Sequence, residues 1–133
     1  MKYEKFLNVI DEKKGMFYEV SDTLWENPET SFGEYKAVEL LTKKLEENGF
    51  DVTRNLCGIP TAFKATYGNV GPSLGVLAEY DALEGMSQVA CSTKKESIPG
   101  KDKAHGCGHN LFAGGSLAAV FAVKAYIEET GKG

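Results

Sequence analysis

The chain has 133 residues, 42% of them hydrophobic, which suits a globular core in one domain or in part of one. Its formal net charge is −4 and its 15 basic residues are scattered, so no basic patch indicates nucleic-acid binding, and nothing favours an anionic membrane surface. Three irregularly spaced cysteines are a poor basis for a disulfide framework, which favours a reducing, cytoplasmic location.

An amphipathic helix is predicted over residues 3–25, where apolar side chains recur at three- and four-residue steps. Asn27-Pro28 should end it, because the residue before a proline avoids helical angles and proline lacks a backbone donor. The first residues include acids and no apolar run of signal-peptide length. No stretch approaches the roughly 18 apolar residues of a transmembrane helix, so we expect no membrane partner.

A second helix is predicted to follow at once. Thr30 or Ser31 can cap its first turn, and Glu34 stands three residues after Ser31, as in a capping box. Asn48-Gly49 is expected to end this helix in a left-handed turn.

A hairpin and a central strand are predicted next. Residues 50–56 and 61–67 are predicted to be paired strands joined by a turn, and the second alternates apolar and polar positions. Residues 74–78 are almost continuously apolar, which is typical of a strand covered on both faces. Polarity returns at Glu79 and Asp81, and in open α/β sheets ligands gather beyond the ends of such strands. These carboxylates are therefore site candidates, or they merely solvate the exit of the strand.

The remaining elements complete a predicted three-layer α/β/α arrangement. Residues 82–103 show no sustained period and are predicted to form a long loop, which in a compact domain is usually functional or mobile. Residues 111–127 are predicted to form a helix that is buried on most of its sides. Together with the first two helices it should cover a sheet in which residues 74–78 form the central strand.

The chemistry-bearing stretch is His105-Gly106-Cys107-Gly108-His109, which holds both histidines of the chain. Imidazole and thiolate are ligands of Zn²⁺, and the intervening glycines let the backbone turn so that His105, Cys107 and His109 could converge on one point. The alternative is structural: a glycine-rich connector before a helix, with Cys107 a small buried hydrophobe. A closed structural zinc site would need a second ligand pair, which is missing.

With these elements in order, the chain resembles a family of zinc-dependent amidohydrolases and exopeptidases, which includes aminoacylases and indole-acetyl amino acid hydrolases. The resemblance rests on the Asn27-Pro28-Glu29 turn, on residues 79–83 and on the Cys-Gly-His core, and it covers essentially the whole chain. Asn110, where most relatives carry Asp, points toward the p-aminobenzoyl-glutamate hydrolase branch.

The resemblance implies a site with two divalent ions, Zn²⁺ or another metal such as Mn²⁺, that acts on a small-molecule amide substrate in a homo-oligomer. Cys107 and His109 match the family's metal ligands, and Asp81 stands where the family places a carboxylate near the metals. Glu79 falls where more distant relatives have a ligand histidine. His105 also matches the motif, as a ligand or a substrate contact.

Family members are several times longer and carry an inserted dimerisation domain, so the resemblance implies that residues 1–133 are the N-terminal portion of a catalytic domain. The general base and the remaining ligands are then expected outside these residues, and the chain alone should have little activity. The alternatives are a noncatalytic metal- or partner-binding domain and a thiol redox module that uses Cys107. The sequence has no Cys-x-x-Cys motif, which makes the redox hypothesis weak.

Overall fold

The structure is a computed structural model that describes residues 3–132. Met1, Lys2 and Gly133, which belong to the terminal segments considered above, lie outside the described residues. The regular elements in chain order are α1 (Glu4–Glu26), α2 (Tyr35–Glu47), β1 (Asp51–Arg54), β2 (Phe63–Thr66), β3 (Leu83–Glu84), β4 (Lys103–Ala104) and α3 (His109–Thr130).

Helices α1 and α3 form the centre of the core. The predicted first helix is confirmed, and it ends at the residue before Asn27-Pro28, as expected. The two helices approach closely at Gly114, where a Cβ atom would lie only 3.1 Å from the carbonyl oxygen of Phe17. The buried side chains of the hydrophobic core are Phe17, Val20, Leu24, Ala37, Leu41, Leu45, Phe50, Ala113, Leu117 and Phe121.

Helix α2 confirms the predicted second helix but not its capping box. The helix begins at Tyr35 and Glu34 has no side-chain capping bond, so the pairing of Ser31 with Glu34 is wrong. The carboxylate of Glu29 instead accepts hydrogen bonds from the backbone N–H groups of Lys36 at 3.1 Å and Ala37 at 3.0 Å. A carboxylate at this place also suits the positive end of the helix dipole.

The predicted hairpin is confirmed with shorter strands. Strands β1 and β2 pair antiparallel, with Asp51 opposite Thr66 and Arg54 opposite Phe63. The side of β2 that carries Phe63 and Ala65 packs against the core, while Lys64 on the opposite side is exposed. This alternation is what a half-buried strand requires.

The predicted central strand over residues 74–78 is wrong. These residues have no strand partner within the part of the chain that the structure describes, and Leu74 and Leu77 are 72% and 87% exposed. A strand is stable only when a neighbour satisfies its backbone donors and acceptors, however apolar its sequence is. The structure thus has mixed α/β composition, with two separate two-stranded antiparallel sheets, β1-β2 and β3-β4.

The predicted long loop is closed at its base by β3 and β4, in which Leu83 pairs with Ala104 and Glu84 with Lys103. These short strands bring the two ends of the loop together. Residues 79–81, just before the loop, therefore lie beside residues 105–109, just after it.

Helix α3 begins two residues earlier and ends three residues later than predicted, and it is less buried than predicted. Its side toward α1 is buried, but Leu111 and Phe112 are exposed. Contrary to the sequence expectation, α3 is long and apolar enough to cross a membrane, with a mean hydropathy of 1.4 over 18 residues. That finding rests on length and composition alone, and the core helix of a soluble protein passes the same test.

Candidate metal centre

The backbone around Asp81 is held by the connection between α1 and α2. The Ala82 N–H donates a 2.7 Å hydrogen bond to the carbonyl oxygen of Glu29, and Ala82 forms a parallel bridge with Thr30. Ala82 itself is buried. Asp81 therefore stands at a fixed point, next to a residue that is tied to another part of the chain.

His109 is the first residue of α3 and is placed by a glycine turn. Gly108 adopts φ +79°, a left-handed conformation that favours glycine, and its N–H donates to the carbonyl oxygen of His105 at 2.9 Å. The turn directs the His109 side chain toward residues 79–81.

His109 lies between two carboxylates. Its Nδ1 is 2.7 Å from Oδ1 of Asp81 and 3.2 Å from the Asp81 carbonyl oxygen, and its Nε2 is 3.0 Å from Oε2 of Glu79. Because the carbonyl oxygen can only accept, this geometry requires that Nδ1 carries a proton. One donor atom from each of these three residues lies within 4.8 Å of the others. The side chains of His109 and Asp81 are mostly buried, whereas Glu79 is exposed.

The environment keeps the Asp81 carboxylate ionised. Partial burial acts to raise the pKa of Asp81, but hydrogen bonds from Ser31 and His109 and the charge of His109 oppose it, so the pKa is lowered. The Ser31 hydroxyl donates to Oδ2 of Asp81 at 2.7 Å. Both carboxylate oxygens therefore have a donor.

This set of atoms fits a divalent metal ion. Zn²⁺ and Mn²⁺ bind imidazole nitrogen and carboxylate oxygen, and two protein donors, His109 and Glu79, would leave coordination positions open for water and substrate. Histidines that bind a metal usually donate their other ring N–H to a carboxylate, which orients the ring. Asp81 stands in that relation to His109, which leaves Nε2 facing Glu79 as the nitrogen available to a metal.

The structure brings together three of the five residues singled out in the sequence. His105 is buried, and its Nε2 donates to the carbonyl oxygen of Leu24 at 3.1 Å. Its Nδ1 is buried and has no hydrogen-bond partner among residues 3–132, and burial lowers the pKa of the ring. Cys107 is exposed and lies outside the group that Glu79, Asp81 and His109 form. The roles of His105 and Cys107 remain predictions.

Sequence reasoning missed Ser31 as a site residue, because it treated this side chain as a helix cap. No sequence signal links it to Asp81, which is 50 positions away. It also missed the role of Asn110, whose buried amide donates to the carbonyl oxygen of Ser21 at 3.3 Å and to its hydroxyl at 3.1 Å. These bonds fasten the first turn of α3 to α1, and the chain itself offers no pattern that predicts them.

No protein-family model matches the chain. Among curated proteins, it is 40% identical over 126 residues to a subunit of p-aminobenzoyl-glutamate hydrolase from Escherichia coli, which covers 95% of the chain and 26% of that protein. It is 30% identical over 122 residues to thermostable carboxypeptidase 2 of Saccharolobus solfataricus, covering 89% and 30%. It is 28% identical over 99 residues to hippurate hydrolase of Campylobacter jejuni, covering 73% and 24%. The chain thus spans about a quarter to a third of the length of these relatives.

Proposed function

Because the chain is related to amidohydrolases and peptidases over as much as 95% of its length, we propose that it is part of the catalytic domain of a metal-dependent amidohydrolase. The observation that carries the proposal is the placement of His109 between Glu79 and Asp81, at the base of a closed loop. A three-layer arrangement, completed by further strands, is proposed for the whole domain.

His109 and Glu79 are the residues that would hold a divalent metal here, with Cys107 as a further proposed ligand. A bound Zn²⁺ or Mn²⁺, or a pair of such ions, supplies an electrophile for the amide carbonyl and lowers the pKa of a water molecule. Asp81 accepts the Nδ1 proton of His109, so Nε2 is the ring nitrogen that would bind the metal in place of a proton. The carboxylates of Glu79 and Asp81 both contact His109, so we propose neither of them as the general base.

The substrate class is proposed from the relatives. One is a hydrolase of p-aminobenzoyl-glutamate and another of hippurate, and each name describes an aromatic acyl group joined to an amino acid by an amide. We propose that the whole protein cleaves the amide of an N-acyl amino acid or of an aminobenzoyl-glutamate-like compound. We further propose a cytoplasmic homo-oligomer.

A chain exchange tests this function. Residues of the Escherichia coli relative that align with this chain are replaced by it, and hydrolysis of p-aminobenzoyl-glutamate is measured in the complete hydrolase with added Zn²⁺ or Mn²⁺. We expect the hybrid to cleave the amide and His109→Ala to abolish cleavage, while the 133-residue chain alone shows no measurable rate. The matched control is Lys64→Ala, an exposed change on β2 away from the site.

The alternative is a noncatalytic metal- or partner-binding domain derived from such an enzyme. A hybrid that is folded and assembled, binds metal through His109 and yet leaves the amide intact would favour that alternative. A folded hybrid in which His109→Ala cleaves as fast as its parent would overturn the assignment of the site.

A further inference from the structure

The connection between α1 and α2 reaches the candidate metal centre through one hydroxyl group. Ser31 Oγ donates to Oδ2 of Asp81 at 2.7 Å, while Oδ1 of the same carboxylate is 2.7 Å from Nδ1 of His109. The two oxygens of Asp81 are thus divided between two partners. Neither partner competes with the other for the same atom.

Ser31 is presented by a backbone that is fixed on both sides. On one side the Ala82 N–H donates to the carbonyl oxygen of Glu29, and Thr30 bridges Ala82. On the other, the Gly33 N–H donates to the carbonyl oxygen of Thr30 at 2.9 Å, which closes a tight turn. The hydroxyl of Ser31 therefore meets the carboxylate from a nearly fixed direction.

The same turn holds an uncommon backbone conformation. Phe32 has φ +65° although it is not glycine, and its side chain is 73% exposed. Such a conformation costs free energy and persists only where surrounding contacts fix it. Phe32 directly follows Ser31, so the contacts that hold this conformation also hold the backbone that carries the Ser31 hydroxyl.

We propose that Ser31 is a positioning residue of the metal centre, which fixes the rotation of the Asp81 carboxylate and through it the orientation of the His109 ring. The proposal rests on the proposed function. The terminal torsion of an aspartate is broad, so one hydrogen bond to His109 does not by itself define the plane of the carboxylate. A second bond to the other oxygen does, and it keeps Nε2 directed toward Glu79.

The test uses the 133-residue chain with Co²⁺ as the probe, because the visible absorption of bound Co²⁺ reports both affinity and ligand geometry. Outer partners of ligating histidines typically change metal affinity by about 10- to 100-fold, and Ser31 acts one bond further out. We expect Ser31→Ala to weaken Co²⁺ binding by about three- to tenfold and to alter the band shape. Ser31→Thr, which retains the hydroxyl, should recover both. Ser92→Ala removes a serine hydroxyl from the loop and should change neither.

The outcomes separate the two proposals. If His109→Ala weakens Co²⁺ binding but folded Ser31→Ala binds with the affinity and spectrum of the parent, Ser31 has no positioning role. If His109→Ala leaves binding unchanged, the metal centre itself is misplaced and the positioning role falls with it. Should Ser31→Ala not fold, the nearly isosteric pair Ser31→Thr and Ser31→Val decides, since only Thr keeps the donor. Equal affinity and equal spectra within that pair would overturn the proposal.

Discussion

His109 Nδ1 lies 2.7 Å from Oδ1 of Asp81, although the two residues are 28 positions apart and only His109 belongs to a regular element. This contact sets the chemistry of the ring. With Nδ1 committed to Asp81, the only nitrogen left for a metal is Nε2, which faces Glu79. Metal and proton therefore compete for the same atom.

From this competition we predict that Zn²⁺ binds weakly and that its affinity falls as the pH drops below neutrality. Three or fewer protein donors with open positions hold the ion less firmly than a closed four-ligand site, and each ligand must be unprotonated to bind. Calorimetric titration between about pH 6 and pH 8 measures the effect. An affinity that does not change over this interval would contradict the assignment of an imidazole ligand.

Substitution of individual donors should identify the ligands. We expect His109→Ala to reduce Zn²⁺ affinity by about tenfold or more, because it removes the one nitrogen donor of the group. Cys107→Ser tests the ligand that the sequence resemblance implies, and a clear loss of affinity there would mean that the exposed thiol turns toward the site when metal binds. Cys57→Ser is the matched control, since Cys57 is also exposed but follows β1. A loss confined to Cys57→Ser would place the site elsewhere.

Tyr80 provides a prediction at alkaline pH. Burial, together with the negative charge of Glu34, raises the pKa of Tyr80 to about 12, and its hydroxyl donates to the carbonyl oxygen of Thr61. The folded state thus holds the neutral phenol more tightly than the unfolded state does. Its contribution to stability is fully present below pH 10 and is lost as the pH rises from about 10 to about 12.

Spectrophotometric titration of the six tyrosines measures this effect. We expect one late ionisation step near pH 12 in the folded chain, absent from Tyr80→Phe and retained in Tyr18→Phe, because Tyr18 is 64% exposed. If the late step survives in Tyr80→Phe, a different tyrosine carries it.

Local patterns predicted the helices and the hairpin, because periodicity and the breakers at Asn27-Pro28 and Gly49 act through neighbours in the chain. The family resemblance, which rests on short contiguous motifs, was confirmed by 40% identity over 95% of the chain to one relative. The strand at residues 74–78 failed because pairing depends on a partner that composition does not reveal.

The contacts of the site were predictable only in part. The sequence named His109, Asp81 and Glu79, but it could not show that the carboxylates contact both ring nitrogens. It likewise assigned Ser31 to a helix cap, because a capping box is a local pattern whereas the bond to Asp81 crosses 50 positions. Long-range polar contacts depend on the packing of whole elements, here on how the α1–α2 connection meets residues 80–82.

Two adjacent glycines of α3 give a matched prediction about stability. A Cβ atom at Gly114 would lie 3.1 Å from the carbonyl oxygen of Phe17, whereas nothing lies within 4 Å of one at Gly115. Gly115→Ala should stabilise the chain by about 1 kcal/mol through helix propensity. In Gly114→Ala the close contact with α1 should cancel this stabilisation. The free energies of unfolding of the two variants should therefore differ by about 1 kcal/mol or more. Urea unfolding measures both, and equal stabilities would show that α1 and α3 separate without cost.

The last prediction concerns the exposed apolar segment formed by residues 74–78. Leu77 is 87% exposed and Leu74 is 72% exposed, and the backbone there has no strand partner within residues 3–132. An exposed apolar segment whose backbone is not paired in a sheet is a template for pairing with another chain. We therefore expect the 133-residue chain to self-associate as its concentration rises, which sedimentation velocity would detect.

Leu77→Lys should shift the chain toward the monomer, while Leu7→Lys, at a position 54% exposed on α1, should not. A parent chain that stays monomeric at millimolar concentration would show that the segment is shielded in solution.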